Sequence, residues 1–211
     1  EFYLIYENYT YLSYDGSLVL RNSSPTITNC QFGNVEHGIT ANFSSNPVIS
    51  NCSFVNTSST PIAMSLSANP VITGSTFTNT GLSGIGLLGE DVAFNGNLGK
   101  RDMAGYENIS YVVLDNITIN SGAYVNIEPG ITIKFNAGKS ITVNGGFKAE
   151  GTAGDKITFS SIHDDNLGNP ADLNNNGNAT IPAPGDWGVL KFTGTSDDDY
   201  CLLDHCNFRY G

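Results

Sequence analysis

The clearest chemical signal in the sequence is the segment DLNNNG at residues 172–177. Asp172, Asn174 and Asn176 occupy alternate positions and Gly177 follows them. This spacing matches the first half of a calcium-binding loop, in which alternating oxygen-bearing side chains converge on a hard cation while the glycine permits a tight turn. The bidentate glutamate that closes such a loop is missing, because position 183 is Ala183.

The loop supplies only one formal negative charge, so a cation would need ligands from neighbouring carboxylates. Asp164, Asp165 and Asp186 are close in sequence. Since all these groups are hard oxygen ligands, we predict a calcium site formed by Asp172, Asn174 and Asn176 together with Asp164 and Asp165. A solvated Asn/Gly loop and a site for a different cation are the alternatives.

Cleavage of polysaccharides is the second chemistry to consider, and it needs two facing carboxylates or a carboxylate paired with a base. Between residues 22 and 89 the only Asp, Glu, Lys or Arg is Glu36, so that region cannot build such a site alone. The second half offers Asp164, Asp186 and Lys191. Charges in this number are also expected on any solvated surface, so our main hypothesis assigns no catalytic residue.

Three other features have both a functional and a structural interpretation. Cys30 and Cys52 lie 22 positions apart, which predicts stacked thiols, with disulfide formation left open. Asn29 and Asn51 share a corner position and predict an internal asparagine ladder, in which each side-chain amide bonds the backbone of the next coil. Trp187 could stack on a sugar ring, but we favour packing at a corner of the core.

The elements that must position these residues are visible as a repeat. SPTITNCQFGN at 24–34 returns as NPVISNCSFVN at 46–56 and as NPVITGSTFTN at 69–79, a period of 22 to 23 residues. Each copy alternates apolar and polar residues between turn formers, which is typical of short strands. A unit this short cannot bury its own apolar face, so the copies must stack as a parallel β-solenoid.

The repeated phrase resembles the coil of right-handed parallel β-helix proteins of the pectate-lyase-like superfamily, most clearly over residues 20–90. From Ser110 onward, NIEPGITIKF and PGDWGVLKF are similar to β-helix modules of large secreted bacterial surface proteins. The predicted fold is all-β, a right-handed parallel β-helix with 22–23-residue coils. We expect one segment over 1–100 and a second over 101–211, with an acidic, Asn-rich insert at 162–186, or else one continuous solenoid.

Charge and hydropathy limit the partners. Lys and Arg total 9 against 20 Asp and Glu, and the net charge of −11 argues against nucleic acid. No apolar run reaches the about 18 residues that a membrane helix needs, so we expect no membrane insertion. The chain ends inside a repeat phrase, HCNFRYG, which leads us to expect further coils of the same protein or self-association.

The resemblance implies an extracellular or cell-surface location and a polysaccharide or cell-surface glycan as partner. Our main functional hypothesis is therefore a structural, adhesive or carbohydrate-binding β-helix module of a larger surface or secreted protein, stabilised by calcium. The alternative is a carbohydrate-active enzyme, either a polysaccharide lyase or a glycoside hydrolase, with its site in the second segment.

Overall fold

The structure is a computed structural model that describes residues 16–211. Short strands alternate with tight corners along this whole range. The strands are β1 (Gly16–Arg21), β2 (Thr26–Thr28), β3 (Gln31–Val35), β4 (His37–Asn42), β5 (Val48–Ser50), β6 (Ser53–Thr57), β7 (Ile62–Met64), β8 (Val71–Thr73), β9 (Thr76–Thr78), β10 (Ile85–Leu87), β11 (Glu90–Val92), β12 (Gly96–Leu98), β13 (Tyr111–Val113), β14 (Ile117–Ile119), β15 (Tyr124–Ile127), β16 (Thr132–Phe135), β17 (Ile141–Val143), β18 (Gly146–Glu150), β19 (Ile157–Ser161), β20 (Leu190–Phe192), β21 (Cys201–Asp204) and β22 (Cys206–Phe208).

The strands stack in parallel, each on its counterpart in the preceding coil. One eight-stranded sheet takes every coil in turn, in the order β1-β4-β7-β10-β13-β16-β19-β22. Its register pairs Ile39 with Ile62 and Ile62 with Ile85, so like residues meet in columns. The prediction of an all-β parallel solenoid is confirmed, with about six turns of about 23 residues.

The core lies inside the coils and is built from these columns. Ile49 and Phe54 are fully buried, and the Phe54 ring stacks on Phe32 with 5.1 Å between ring centroids. In the later coils Phe147 and Phe159 occupy the same interior. Burial of aligned apolar side chains is the dominant favourable contribution to folding here, because the individual strands are too short to be stable alone.

The smaller sheets on the other faces are interrupted between β9 and β11, at residues 79–89. Before this point, β2-β5-β8 and β3-β6-β9 form two three-stranded sheets; after it, β11-β14-β17-β20 and β12-β15-β18-β21 form two four-stranded sheets. The loop between β12 and β13 carries the buried Arg101, which donates hydrogen bonds to Pro70 O and Asn69 Oδ1 in an earlier coil. The large sheet is continuous here, since β10 pairs with β13.

The segment between β19 and β20 leaves the coil and folds back over the outer face of the large sheet. Leu173 packs there against Val112 and Ile162 in a small second core. The Leu173 carbonyl accepts a hydrogen bond of 2.8 Å from the backbone N–H of Ser83, a residue in a much earlier coil. We refer to residues 162–189 as the insert.

The only helical element in the described range is a single 3-10 turn, Asp198–Tyr200. Residues 16–211 thus contain no helix of the length and apolarity required to cross a bilayer.

Candidate functional site

The insert is organised around a buried lysine. Lys134 lies on β16 with its side chain outward, and the insert covers it so fully that it is 0% exposed. Its ammonium donates to the backbone carbonyl of Asp164 at 2.7 Å and to that of Ala171. Burial lowers the pKa of Lys134, and the carboxylates of Asp165, Asp164 and Asp172 oppose that shift. The acidic insert therefore surrounds a cation that belongs to the chain itself.

Asp164, a predicted calcium ligand and catalytic candidate, is also 0% exposed. Its Oδ2 accepts a hydrogen bond from Ser160 Oγ at 2.7 Å and lies 3.5 Å from Nε of Arg209. Its Oδ1 accepts from the backbone N–H of Asn166 at 3.3 Å. A carboxylate held in this way anchors the insert to the sheet and has no surface that a polymer substrate could reach.

Asp186 fixes the other end of the insert. Its Oδ2 accepts hydrogen bonds from Ser161 Oγ at 2.7 Å and Ala183 N at 3.1 Å, and lies 3.3 Å from His163 Nδ1. Desolvation alone would raise the pKa of Asp186, but the hydrogen bonds from Ser161, Ala183 and His163 outweigh it and hold the pKa below its usual value. The ionised form is thus the one the structure favours.

Lys191, the third catalytic candidate, lies in the middle of β20 on the exposed side of the strand, in register with Thr142. Within residues 16–211 no ion pair or hydrogen bond joins its side chain to Asp164 or Asp186. The structure does not bring the three candidates into contact with one another.

The predicted calcium loop forms a compact turn about its first residue. The Asp172 carboxylate accepts hydrogen bonds from the backbone N–H groups of Asn176 at 3.1 Å and Gly177 at 2.8 Å. Gly177 has a φ of +64°, a conformation that glycine adopts without steric cost. The Asn174 amide donates to the carbonyl of Ile162, the first residue of the insert, at 3.2 Å.

Two oxygens of the predicted ligand set are buried and lack a hydrogen-bond partner: Asp165 Oδ1 and Asn176 Oδ1. Burial and the nearby Asp172 raise the pKa of Asp165, while Lys134 opposes the shift. Buried oxygens without partners are costly, and a hard cation would satisfy them. Among the described residues, however, no three His, Cys, Asp or Glu side chains are grouped as metal ligands. The insert thus holds two oxygens of the kind that calcium prefers, but no carboxylate cluster of the size expected for a metal site among residues 16–211.

A ladder of asparagine side chains runs along an outer corner, one corner later than we expected. Asn56 Nδ2 donates to Asn34 Oδ1 at 3.0 Å, and Asn79 Nδ2 donates to Asn56 Oδ1 at 2.6 Å. All three have a positive φ between 53° and 58°. The predicted internal ladder at Asn29 and Asn51 was wrong, since both residues are exposed and the described part of the chain has no hydrogen bond from either side-chain amide to the next coil's backbone.

Trp187 and the cysteines are parts of the framework. Trp187 is only 4% exposed, stacks on Phe135 with centroids 4.3 Å apart and donates from Nε1 to Arg209 O. The predicted packing role is therefore confirmed by its burial, and its ring faces cannot stack on a sugar. All four cysteines are free thiols, with Cys30 exposed and Cys52 buried.

The comparison with protein families agrees with this architecture. Residues 3–105 match the model of the right-handed beta helix region. The described part of this match, residues 16–105, forms stacked coils with parallel strands, a parallel β-helix. The strand pairing of this β-helix continues through β13, β16, β19 and β22, which lie beyond the matched residues. The predicted relationship to right-handed parallel β-helix proteins is thus confirmed. Searches of curated proteins and of solved structures found no match.

Proposed function

We propose that the chain is a binding module of a secreted or cell-surface protein, a rigid β-helix that retains polysaccharides or glycans on its outer faces without cleaving them. The observation that carries this proposal is the alignment of exposed polar side chains in columns. The ladder of Asn34, Asn56 and Asn79 is hydrogen-bonded from coil to coil and faces solvent.

A second column supports the same conclusion. Thr28, Ser50 and Thr73 are paired in register on the three-stranded sheet β2-β5-β8. Neighbouring parallel strands lie about 4.8 Å apart, so each column presents one hydroxyl or amide group per coil at a fixed spacing. A ligand with many repeated hydroxyl groups can contact several such positions at once, and its overall affinity then exceeds that of any single contact.

We propose binding without cleavage because of where the structure places the three catalytic candidates. Asp164 is buried, and Asp186 is engaged by three hydrogen-bonding groups. Lys191 is exposed but contacts neither of them. An accessible pair of groups on the two sides of a scissile bond is what either a lyase or a hydrolase requires.

Affinity electrophoresis in gels that contain neutral or acidic polysaccharides tests the proposal. Retarded migration with no change in polymer length is the expected result. Release of short products that Lys191→Ala abolishes would identify an enzyme and contradict the proposal. If no polymer retards the protein, the binding function is contradicted and a role as a structural spacer is favoured instead.

We propose further that calcium, where present, is bound by the insert and orders it. The two unpartnered oxygens, Asp165 Oδ1 and Asn176 Oδ1, support this, and binding to the folded state alone would stabilise it by mass action. The melting temperature should rise on adding calcium to wild type and to Asp155→Asn, an exposed control, but not to Asp165→Asn. Equal melting temperatures of wild type in calcium and in chelator would contradict the proposal.

A further inference from the structure

The four-stranded sheet β12-β15-β18-β21 carries a pair of tyrosine rings that the sequence did not reveal. In its register Tyr124 on β15 is paired with Gly146 on β18. Tyr200 belongs to the 3-10 turn that leads directly into β21. Tyr124, Gly146 and Tyr200 thus occupy equivalent positions in three successive coils, with a tyrosine in the first and third coils and a glycine in the second.

The glycine makes room for both rings. A Cβ added at Gly146 would lie 2.5 Å from Tyr124 Cδ1 and 2.7 Å from Tyr200 Cβ, distances that real Cβ atoms do not show. Because that space is free, the two rings meet above the middle coil with centroids 4.5 Å apart and planes inclined by 43°. The arrangement is a feature of the coil stacking and requires glycine at this position.

The aromatic pair is held in place yet remains accessible. The Tyr124 hydroxyl donates to Asp197 Oδ2 at 3.3 Å, which ties its ring to the turn before β21. Tyr200 is 58% exposed. An exposed aromatic ring whose orientation is fixed by neighbours loses little conformational entropy when a ligand stacks on it.

A groove of about 400 Å³ lies beside the two rings. Polar groups border it: the Asn126 amide, which donates to Asn97 Oδ1 at 2.6 Å, and the Lys148 ammonium, which pairs with Glu150 at 2.7 Å. The full lining consists of Tyr124, Val125, Asn126, Lys148, Asp199, Tyr200 and Leu202. Aromatic faces next to a few oriented polar groups are the usual composition of a small-molecule site.

We propose that this groove is a subsite for a neutral pyranose unit of a polysaccharide, with the tyrosine pair stacking on the C–H face of the sugar and with Asn126 and Lys148 bonding its hydroxyls. The inference rests on the proposed binding function and adds one specific contact point, on a different sheet from the two polar columns, together with its ligand class. The choice of a neutral sugar follows from charge. Glu150 pairs with the Lys148 ammonium, Asp199 lines the groove and Asp197 accepts the hydrogen bond from Tyr124. Since the chain also carries a net charge of −11, an acidic sugar would be repelled.

The test compares three variants in affinity gels that contain either β-glucan, xylan or mannan as neutral polymers, or polygalacturonate or alginate as acidic ones. Tyr200→Ala removes the exposed ring and should weaken retention by a neutral polymer at least about tenfold. Tyr200→Phe keeps the ring and should retain binding. Phe208→Ala is the matched control, because Phe208 is an exposed ring, 47% accessible, on β22 of a different sheet. Circular dichroism verifies that each variant is folded.

The outcomes separate the two proposals. Loss of neutral-polymer retention in folded Tyr200→Ala, with binding kept in Tyr200→Phe and Phe208→Ala, supports the subsite. Equal retention of Tyr200→Ala and wild type would overturn the subsite and leave the binding function intact. Retention by acidic polymers alone would overturn the ligand class, and retention by none would overturn both proposals.

Discussion

Replacing Lys134 with methionine tests how the insert is held to the β-helix. Methionine keeps an unbranched side chain of similar length and removes the buried charge. The change deletes the hydrogen bonds to the carbonyls of Asp164 and Ala171. It also removes the positive charge that Asp165 and Asp172 face across the insert.

The magnitude follows from the burial of the ammonium. Removing one partner of a buried charged group costs about 3–5 kcal/mol, because the remaining groups stay desolvated without compensation. Desolvation already lowers the pKa of Lys134, which means that part of the attraction is offset in the wild type. We therefore expect the lower end of that range, about 3 kcal/mol. For a chain of this size it corresponds to a fall in melting temperature of about 6–12 °C.

Thermal unfolding followed by circular dichroism measures the loss, and limited proteolysis locates it. We expect new cleavage in Lys134→Met between residues 162 and 189. Lys156→Met is the control, because Lys156 is exposed and its replacement should change stability by no more than about 0.5 kcal/mol. A melting temperature of Lys134→Met within about 2 °C of wild type, with an equally protected insert, would refute the reasoning.

Three further predictions concern the core, the corner ladder and the end of the insert. Phe54→Ala should lower the free energy of unfolding by about 3–5 kcal/mol in chemical denaturation, because the ring is fully buried; a loss below about 1 kcal/mol would contradict this. Asn56→Ala should cost about 1–2 kcal/mol and Asn56→Gly less, since alanine at a φ of 56° is strained and glycine is not; the opposite order in melting temperature would be contrary evidence. Because the pKa of Asp186 is lower in the folded state, its ionised carboxylate stabilises the fold at any pH above the unfolded-state pKa. This stabilisation is lost as the pH falls through the folded-state pKa. The melting-temperature difference between wild type and Asp186→Asn should therefore stay constant down to about pH 4, near the unfolded-state pKa, and shrink as the pH falls further; a difference that stays constant below that pH would argue against this assignment.

The fold was predictable because the same residue types recur in the sequence at an interval equal to the length of one coil. Ile27, Ile49 and Ile72 recur at one position and are buried in register. The asparagine ladder was predicted at Asn29 and Asn51, whereas it forms at the corner of Asn34 and its equivalents. Both corners carry asparagine with positive φ, and the sequence contains no signal for which amide reaches the next coil.

The environment of the insert was not predictable in the same way. Lys134 stands in an alternating strand where an outward lysine is normally solvated, and only the folding back of a segment about 30 residues later buries it. Tyr124 and Tyr200 are likewise far apart in the chain, and their contact depends on the glycine between them. The calcium site, the glycan partner, self-association and the extracellular location stay predictions.

The central claim is that this β-helix binds polysaccharide and leaves it intact. The most direct measurement is an equilibrium binding isotherm of the purified chain on an insoluble neutral polysaccharide, with reducing ends counted in the same samples. The account predicts saturable binding and a constant number of reducing ends. Reducing ends that increase with time and with protein concentration, or no binding at any concentration, would contradict it.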